Sequence, residues 1–260
     1  MADPAQAQML AAPDIALAQH QHDALVEAFR RADVTVHYVD SPQMPPPNLM
    51  FVADLMFMTP EGAILGRPAS TVRAGEERLV ACRLAELGIP ILLSVHGAGT
   101  FEGADAAWLD SETVLLATGL RTNAEGAAQV TNLLRDMDVE VIQVGLPYGT
   151  MHLMGQLRFA DRDLAVAWPG RVPYRAVQAM RDRGFRVLFL PDEQEAVHGM
   201  ALNFVTLGPR SLLMPAGNSI TQSFYEKEGI RCETVDVDEL LKAAGGIGCL
   251  TGILRRETAG

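Results

Sequence analysis

One succession of predicted elements recurs about every 50 residues, and this repeat limits the fold more than any other feature of the sequence. Each copy contains a strand, a tight turn, a second strand, an amphipathic helix and a third strand. The four helices are predicted at residues 74–87, 123–137, 174–183 and 220–228. A fixed period of this length is typical of proteins built from repeated structural units. The sequence therefore predicts an α/β protein made of ββαβ units.

The last copy of the repeat is incomplete, and the first part of the chain contains the elements that it lacks. A glycine-rich stretch around Cys249 starts a fifth unit with one or two strands, while a helix at 23–32 and a strand at 34–39 precede the first complete unit. Together they would make a fifth ββαβ unit and close the repeats into a ring. We therefore predict a five-fold pseudosymmetric α/β propeller, closed by the N-terminal helix and strand. The alternative is an open α+β sheet without symmetry.

Length and hydrophobic content predict a globular protein. Of the 260 residues, 48% are hydrophobic, which is enough for a large core. We expect residues 1–260 to form a single domain, with residues 1–20 loosely held and a proline-rich run at 42–47 as an extended connector. No apolar run reaches the roughly 18 residues that a membrane-spanning helix needs, so we expect no association with a membrane.

Charge and cysteine content exclude further classes of protein. A net charge of −11 argues against nucleic acid as a partner, since phosphate binding needs clustered basic residues. Three cysteines without a disulfide framework, and no basic leader, predict a cytoplasmic protein. Neither a metal-ligand spacing nor a phosphate-binding loop is present, so we expect no metal and no cofactor. The helices at 74–87 and 123–137, expected on the outside of the ring, would offer a face for a homo-oligomer.

The first strand of each predicted unit carries one polar or reactive residue at nearly the same position in the repeat. These residues are Asp54, Glu102, His152, Asn203 and Cys249, and the middle three are 50 and 51 residues apart. Pseudosymmetry would bring the first strands to the centre of the ring, so the five side chains would converge. A carboxylate, an imidazole, an amide and a thiol in one pocket predict nucleophilic catalysis. Taken singly, each has a structural alternative, such as a turn, a cap, a salt bridge or a small buried cysteine.

The same segments resemble the pentein superfamily of guanidine-modifying enzymes, and the resemblance covers residues from about 48 to 256. Phe-Val-Ala-Asp at 51–54 resembles a Phe-x-x-Asp segment, and Phe-Glu-Gly-Ala-Asp at 101–105 is similar to a Glu-Gly-Gly-Asp motif. His152 and the following leucine match a catalytic His-Leu pair. The glycine-rich segment at 246–251 resembles the one that bears the nucleophile, and residues 119–126 are similar to an Arg-Thr-Asn-x-x-Gly stretch.

The resemblance implies a role for each of these residues. Cys249 would be the nucleophile, and His152 the proton donor and then the base. Glu102 would orient His152 and bind a guanidinium nitrogen of the substrate. Asp54 would bind the other edge of the guanidinium, and Arg121 would bind a substrate carboxylate. Beside what the resemblance implies, we expect Arg73 to bind the same carboxylate and Asn203, at the equivalent position of its repeat, to bind the substrate. The glycines beside Cys249 would let a planar guanidinium lie against the backbone.

Two departures from the family pattern bear on the substrate. Ala53 stands where relatives usually carry Glu or Arg, and Met154 stands where deiminases and amidinotransferases usually have Asp. That second aspartate grips an unsubstituted guanidinium, so its absence favours the dimethylarginine hydrolase branch. We therefore predict a hydrolase that cleaves a C–N bond of a small guanidino substrate, an arginine derivative, through a covalent thiouronium intermediate. The alternatives are an amidinotransferase, an arginine deiminase or dihydrolase, and a cation-binding protein without catalysis.

Overall fold

A computed structural model describes residues 4–41 and 44–256, so residues 42 and 43 of the predicted proline-rich connector lie outside the described residues. The chain divides into two compact units. The first contains the residues up to His37 together with Met154–Gly248. The second contains Tyr38–Leu153 and the residues from Cys249 onward.

Four three-stranded sheets are formed by the described residues, and all four have the same topology. In each sheet the first and second strands pair antiparallel and the second and third pair parallel. The strands are β1 (Met56–Met58), β2 (Ala63–Leu65), β3 (Ile91–Ser94), β4 (Ala106–Trp108), β5 (Thr113–Thr118), β6 (Glu140–Gly145), β7 (Leu157–Asp161), β8 (Leu164–Ala167), β9 (Arg186–Phe189), β10 (Val205–Gly208), β11 (Ser211–Pro215) and β12 (Arg231–Val235).

A helix crosses over between the second and third strand of each sheet, as a parallel pair requires. The helices are α1 (Ile15–Arg31), α2 (Val52–Leu55), α3 (Glu77–Glu86), α4 (Ala124–Asp136), α5 (Tyr174–Asp182), α6 (Glu193–His198), α7 (Ser219–Lys227) and α8 (Asp238–Leu241). The crossover helices α3, α4, α5 and α7 match the predicted ones within three residues at each end. The prediction of an α/β fold of repeated ββαβ units is therefore confirmed. Among the described residues no helix combines the length and apolar character needed to cross a bilayer.

Each unit has its own hydrophobic core. In the first unit, the central strands β8 and β11 are buried along their whole length and pack with Tyr225. The second unit contains one cluster around Phe101, Val114 and Val130, and another around Leu55 and Leu84. Strands that are buried on both faces read as continuous apolar runs, which is why the sequence indicates them clearly.

The helix α4 shows how the fold fixes the chain just before Glu102. The Asn123 side chain caps α4 by accepting the Gly126 N–H at 2.8 Å, and it also accepts the Thr100 N–H at 3.0 Å. A Cβ at Gly126 would lie 1.9 Å from the Thr100 carbonyl oxygen, so only glycine permits this approach. The start of α4 thereby anchors the backbone two residues before Glu102.

The first strand of each sheet is shorter in the structure than in the prediction, and the polar residues lie before it. Asp54 lies in α2, and Glu102 and His152 lie at the starts of the short helical turns Gly103–Asp105 and Leu153–Gly155. A strand presents only every second side chain to one face, whereas residues three apart in a helical turn lie on the same side. The turns therefore bring more side chains to one place than strands would.

The fifth ββαβ unit does not form strands in the described part of the chain. Residues 34–39 and 249–254 are in no strand there, so the predicted closing strand is wrong. Most side chains of 34–39 are exposed, and a glycine-rich run has little to pack in a sheet. The predicted N-terminal helix does form as α1, which packs against α8 and β12 of the first unit. It starts at Ile15, inside the segment that we expected to be loosely held, because the Asp14 side chain caps it.

Candidate active site

Three of the predicted site residues form one buried cluster in the second unit. His152 Nε2 lies 2.6 Å from Glu102 Oε2 and 3.8 Å from Asp54 Oδ1. All three side chains are buried, and Glu102 is fully so. The side chains of residues 54, 102 and 152 therefore lie together, as the repeat pattern predicted.

The helix α2 joins this cluster to the predicted nucleophile. The Ala53 N–H donates to the Cys249 carbonyl oxygen at 3.2 Å. A Cβ at Gly252 would lie 2.8 Å from Val52, so the segment after Cys249 packs closely on α2. On another side, a Cβ at Gly103 would lie 2.6 Å from the Ala53 carbonyl oxygen. The short helix that carries Asp54 therefore contacts both the Cys249 segment and the turn after Glu102.

Glu102 is held as a carboxylate. Its Oε1 accepts the Ala69 N–H at 3.1 Å and lies 3.6 Å from Nη1 of Arg121. Burial acts to raise the pKa of Glu102, but the hydrogen bond and charge of His152, with the charges of Arg121 and Arg73, lower it overall. The ionised Glu102 can therefore orient His152 and accept an N–H from a ligand.

His152 is protonated at neutral pH. Burial by itself lowers the pKa of His152, but the charge of Asp54, the hydrogen bond to Glu102 and the charge of Asp105 together raise it to about 9. An imidazolium in this position can donate a proton and can stabilise a neighbouring anion.

Asp105 and Thr122 connect Glu102 to the backbone next to His152. The sequence analysis assigned neither of them a role. Asp105 Oδ1 accepts the Leu153 N–H at 3.1 Å, directly after His152. Asp105 Oδ2 accepts the Thr122 hydroxyl at 2.7 Å, and Thr122 Oγ1 in turn accepts the Glu102 N–H at 3.2 Å. Burial raises the pKa of Asp105 to about 6. The available signal was its position three residues after Glu102 in the same motif.

Arg73 lies against Asp54 and is as buried as that residue. Its Nη1 donates to Asp54 Oδ2 at 2.6 Å, and its Nε donates to Glu76 Oε2 at 2.9 Å. Its Nη2 lies 3.3 Å from the carbonyl oxygens of Asn48 and Phe51. Glu76, which the sequence analysis did not single out, is therefore part of the same ionic network.

Asn203 belongs to the first unit, where it supports the segment before Cys249. Its Oδ1 accepts the Gly248 N–H at 2.6 Å. A Cβ at Gly246 would lie 2.9 Å from the Asn203 side chain, and one at Gly248 would lie 2.7 Å from Nη2 of Arg158. The space beside these glycines is thus filled by side chains of the protein, which accounts for them without a guanidinium against the backbone. Cys249 itself is half-buried.

The cluster also offers ligand atoms of the kinds that bind metals. One atom each from Asp54, Glu102 and His152 lie within 4.8 Å of one another. A metal would have to displace the proton of His152. A guanidinium needs no such exchange, because it donates its own N–H groups to carboxylate oxygens.

The ββαβ fold and the buried imidazole–carboxylate cluster place the chain among the guanidine-modifying enzymes of the pentein superfamily. A family model described as N,N dimethylarginine dimethylhydrolase, eukaryotic, matches residues 6–255. The chain belongs to this dimethylarginine dimethylhydrolase family.

Individual relatives cover nearly the whole chain. It is 27% identical over 246 residues to N(G),N(G)-dimethylarginine dimethylaminohydrolase of Pseudomonas aeruginosa, covering 93% of this chain and 90% of the relative. The protein of the same name from Streptomyces coelicolor is 28% identical over 242 residues, covering 93% and 88%. A solved structure of the Pseudomonas aeruginosa protein, a mutant complexed with citrulline, has a TM-score of 0.79 at 26% identity, covering 93% of this chain and 89% of that one.

Proposed function

We propose that this protein hydrolyses a C–N bond of an N-methylated arginine, releasing a methylamine and citrulline. Family membership supports this assignment, as does the citrulline in the complex of the Pseudomonas aeruginosa relative. The observation that carries it is the buried 2.6 Å contact between His152 and Glu102. The short helix α2 joins this pair to Cys249, whose carbonyl oxygen accepts the Ala53 N–H. A thiol, an imidazolium and a carboxylate are what attack on a guanidinium requires.

The charges around the cluster favour a cationic substrate. Four carboxylates face three cations, which leaves one net negative charge when all are ionised: Asp54, Glu76, Glu102 and Asp105 against Arg73, Arg121 and His152. A guanidinium would neutralise this excess. Its N–H groups would donate to Asp54 and Glu102, which lie 3.8 and 2.6 Å from His152 Nε2.

Arg121 is the cation that we assign to the substrate carboxylate. Its side chain is 16% exposed, against 5% for Arg73. Within the described residues its one ion pair is the 3.6 Å contact with Glu102, which is too long for a hydrogen bond. The N–H groups of Arg121 can therefore form the bidentate pair that a carboxylate accepts.

In the first chemical step, Cys249 attacks the central guanidinium carbon as a thiolate and forms a C–S bond. The thiolate is favoured by the positive charges of the His152 imidazolium and of the substrate. As the C–N bond breaks, its electron pair goes to the departing amine nitrogen, which takes a proton from His152. An S-alkylthiouronium remains on Cys249.

In the second step, water replaces the thiolate. Neutral His152 now acts as the base and takes a proton from the water that attacks the same carbon. The C–S bond breaks and its electron pair returns to the sulfur. The second proton of the water passes to solvent, where the released amine takes it up, and the neutral ureido group of citrulline is formed. His152 is again an imidazolium and Cys249 again a thiolate, so the cycle is closed.

A product assay tests this function. The protein is incubated with N,N-dimethylarginine and no other amine, and citrulline and dimethylamine are both measured. We expect equal amounts of the two products, and a loss of about a thousandfold or more in Cys249→Ser. Cys82→Ser, which changes an exposed thiol, should leave the rate unchanged. Absence of citrulline, or formation of a new guanidine from an added acceptor amine in its place, would reject hydrolysis; activity in Cys249→Ser would reject the nucleophile.

A further inference from the structure

Two side chains enclose the backbone of Gly248, the residue directly before Cys249. The Gly248 N–H donates to Asn203 Oδ1 at 2.6 Å and also to the Asn203 carbonyl oxygen at 3.4 Å. The guanidinium of Arg158 lies beside the same residue, since a Cβ at Gly248 would be 2.7 Å from its Nη2 and 3.1 Å from its Cζ. Protein interiors are close-packed, so the guanidinium occupies the space that a side chain at position 248 would need.

Arg158 is itself held by the core of the first unit. It lies in β7, and its Nη2 donates to the carbonyl oxygen of Phe204, directly before β10. Its Cζ is 5.7 Å from the centroid of the Phe204 ring, within the range at which a guanidinium is attracted to an aromatic face. The Phe204 side chain is fully buried. The guanidinium therefore contacts the core at Phe204 and the segment before the nucleophile at Gly248.

The backbone around Cys249 is thus fixed both before and after the thiol. Before it, the contacts of Gly248 are made by Arg158 and Asn203. After it, the Cys249 carbonyl oxygen accepts the Ala53 N–H of α2 at 3.2 Å. A hydrogen bond restrains a peptide along one direction, whereas a packed side chain restrains it from moving toward that side chain. Arg158 supplies the second kind of restraint.

We infer that Arg158 is a positioning residue, which sets the place of the Cys249 thiol by packing against Gly248. The inference rests on the proposed function, because it takes Cys249 as the nucleophile. Arginine suits this role, since its planar and weakly hydrated guanidinium can lie against an aromatic ring and a backbone together, unlike the compact ammonium of lysine. A nucleophile that is misplaced by about 1 Å can lose about 100-fold in rate.

The first measurement is kcat and KM for N,N-dimethylarginine in Arg158→Met and Arg158→Lys. Both variants should lose about 10- to 100-fold in kcat while KM changes by less than about threefold, because the groups proposed to bind the substrate are untouched. Lysine keeps the charge but not the planar group, so it should not restore the rate. Full activity in Arg158→Lys or in a folded Arg158→Met, or a loss that lies in KM alone, would overturn the inference.

Arg171 offers a matched control in the same unit. It is exposed, and its Cζ lies 4.5 Å from the centroid of the Trp168 ring, so it also makes an arginine–aromatic contact. Arg171→Met should keep kcat within about twofold, since surface substitutions usually have small effects. A loss equal to that of Arg158→Met would show that the contact with Gly248 is not the cause, and would reject the positioning role.

A double-mutant cycle asks whether Arg158 acts through Gly248. In the unmodified protein, the methyl group of Gly248→Ala meets the guanidinium, whereas Arg158→Met removes the end of that side chain. Gly248→Ala should therefore reduce kcat by a factor at least about threefold smaller in the Arg158→Met protein, since residues in contact have non-additive effects. Asn203 Oδ1 would lie 2.9 Å from the same Cβ, which keeps the relief partial. Additive effects on kcat would contradict the inference.

Thermal melts of the same four proteins separate this inference from the proposed function, because they need no substrate. The fall in melting temperature caused by Gly248→Ala should be smaller by about half or more in the Arg158→Met protein. If the unmodified protein hydrolysed no guanidine, this coupling would still support the placing of residue 248 by Arg158. Equal falls in the two proteins would reject it, whatever reaction the protein catalyses.

Discussion

The protonation of His152 is the property of a single residue on which the proposed mechanism depends most. Asp54, Glu102 and Asp105 raise the pKa of His152 to about 9, well above the ordinary value for histidine. A folded-state pKa above the unfolded one means that the imidazolium stabilises the fold below about pH 6.5 and that this contribution is lost as pH rises through about 9. The same proton is the one that the departing amine receives.

The first prediction concerns Asp105 and the alkaline limb of the pH profile. In the unmodified protein, the rate of dimethylarginine hydrolysis should hold up to about pH 9 and then fall about tenfold per pH unit. Asp105→Asn removes one negative charge near His152 while keeping the shape of the side chain. It should move the alkaline limb down by about one pH unit.

A matched control separates this effect from a general change of charge. Asp110→Asn removes a carboxylate that is exposed on a turn, and the limb should stay at about pH 9. The limb is located from kcat/KM between pH 6 and 10.5, with circular dichroism at each pH to confirm folding. An unchanged limb in Asp105→Asn would mean that Asp105 does not set the protonation of His152.

The sequence predicted the meeting of Asp54, Glu102 and His152, because each occupies a similar position in its predicted unit. It did not predict the partners of Arg73. Whether an arginine reaches a substrate or a buried carboxylate depends on side-chain rotamers and on burial, which no spacing encodes. Asp105 belongs to the quoted motif at 101–105, but the sequence analysis assigned it no role, because its function lies in accepting the N–H groups and hydroxyls of residues far away in the chain.

At the scale of elements, helices were easier to predict than the ends of the repeat. The four crossover helices carry a 3.6-residue apolar pattern that survives in any context where one face is buried. A strand instead depends on its neighbour, and the predicted strand at 34–39 has the right composition but joins none of the sheets that the described residues form. This dependence on a neighbouring strand also explains why the helix α2 forms where the first half of the first predicted strand was expected.

The segment before Cys249 provides a prediction at this scale. Gly248 is enclosed by Asn203 and Arg158, and a Cβ there would lie 2.7 Å from Nη2 of Arg158 and 2.9 Å from Asn203 Oδ1. Gly248→Ala should therefore destabilise the protein by about 1–3 kcal/mol and displace the backbone of the next residue, Cys249. We expect a loss of activity larger than the loss of folded protein, measured as kcat at a temperature where thermal melts show the variant to be folded.

Gly208 in the same unit is a suitable control for Gly248. A Cβ at Gly208 meets nothing within 4 Å, and its backbone is in a region open to all residues. Gly208→Ala should therefore keep both the melting temperature and the rate of alkylation of Cys249 by iodoacetamide. If Gly248→Ala also kept that rate and its kcat, Asn203 and Gly248 would have no part in placing the nucleophile.

For the molecule as a whole, charge makes a prediction that does not depend on any one contact. The chain carries a net charge of −11, and the residues around the cluster have an excess of one negative charge when all are ionised. A negative field attracts a cation over distances of the Debye length, which is about 10 Å at 0.1 M salt and only about 3 Å at 1 M. Substrates should therefore respond to ionic strength in proportion to their own charge.

Three guanidines of similar size test this field: N,N-dimethylagmatine with two positive charges, N,N-dimethylarginine with one in excess, and an N-methylated guanidino acid with none. Between about 0.02 and 0.5 M salt, kcat/KM should fall roughly tenfold for the first, two- to fourfold for the second and little for the third. The fall should lie in KM, because salt screens the approach of the substrate and not the proton transfer within the buried cluster. Equal slopes for all three would show that the acidic charge of the chain has no role in substrate capture, and that selectivity rests on Asp54, Glu102 and Arg121 alone.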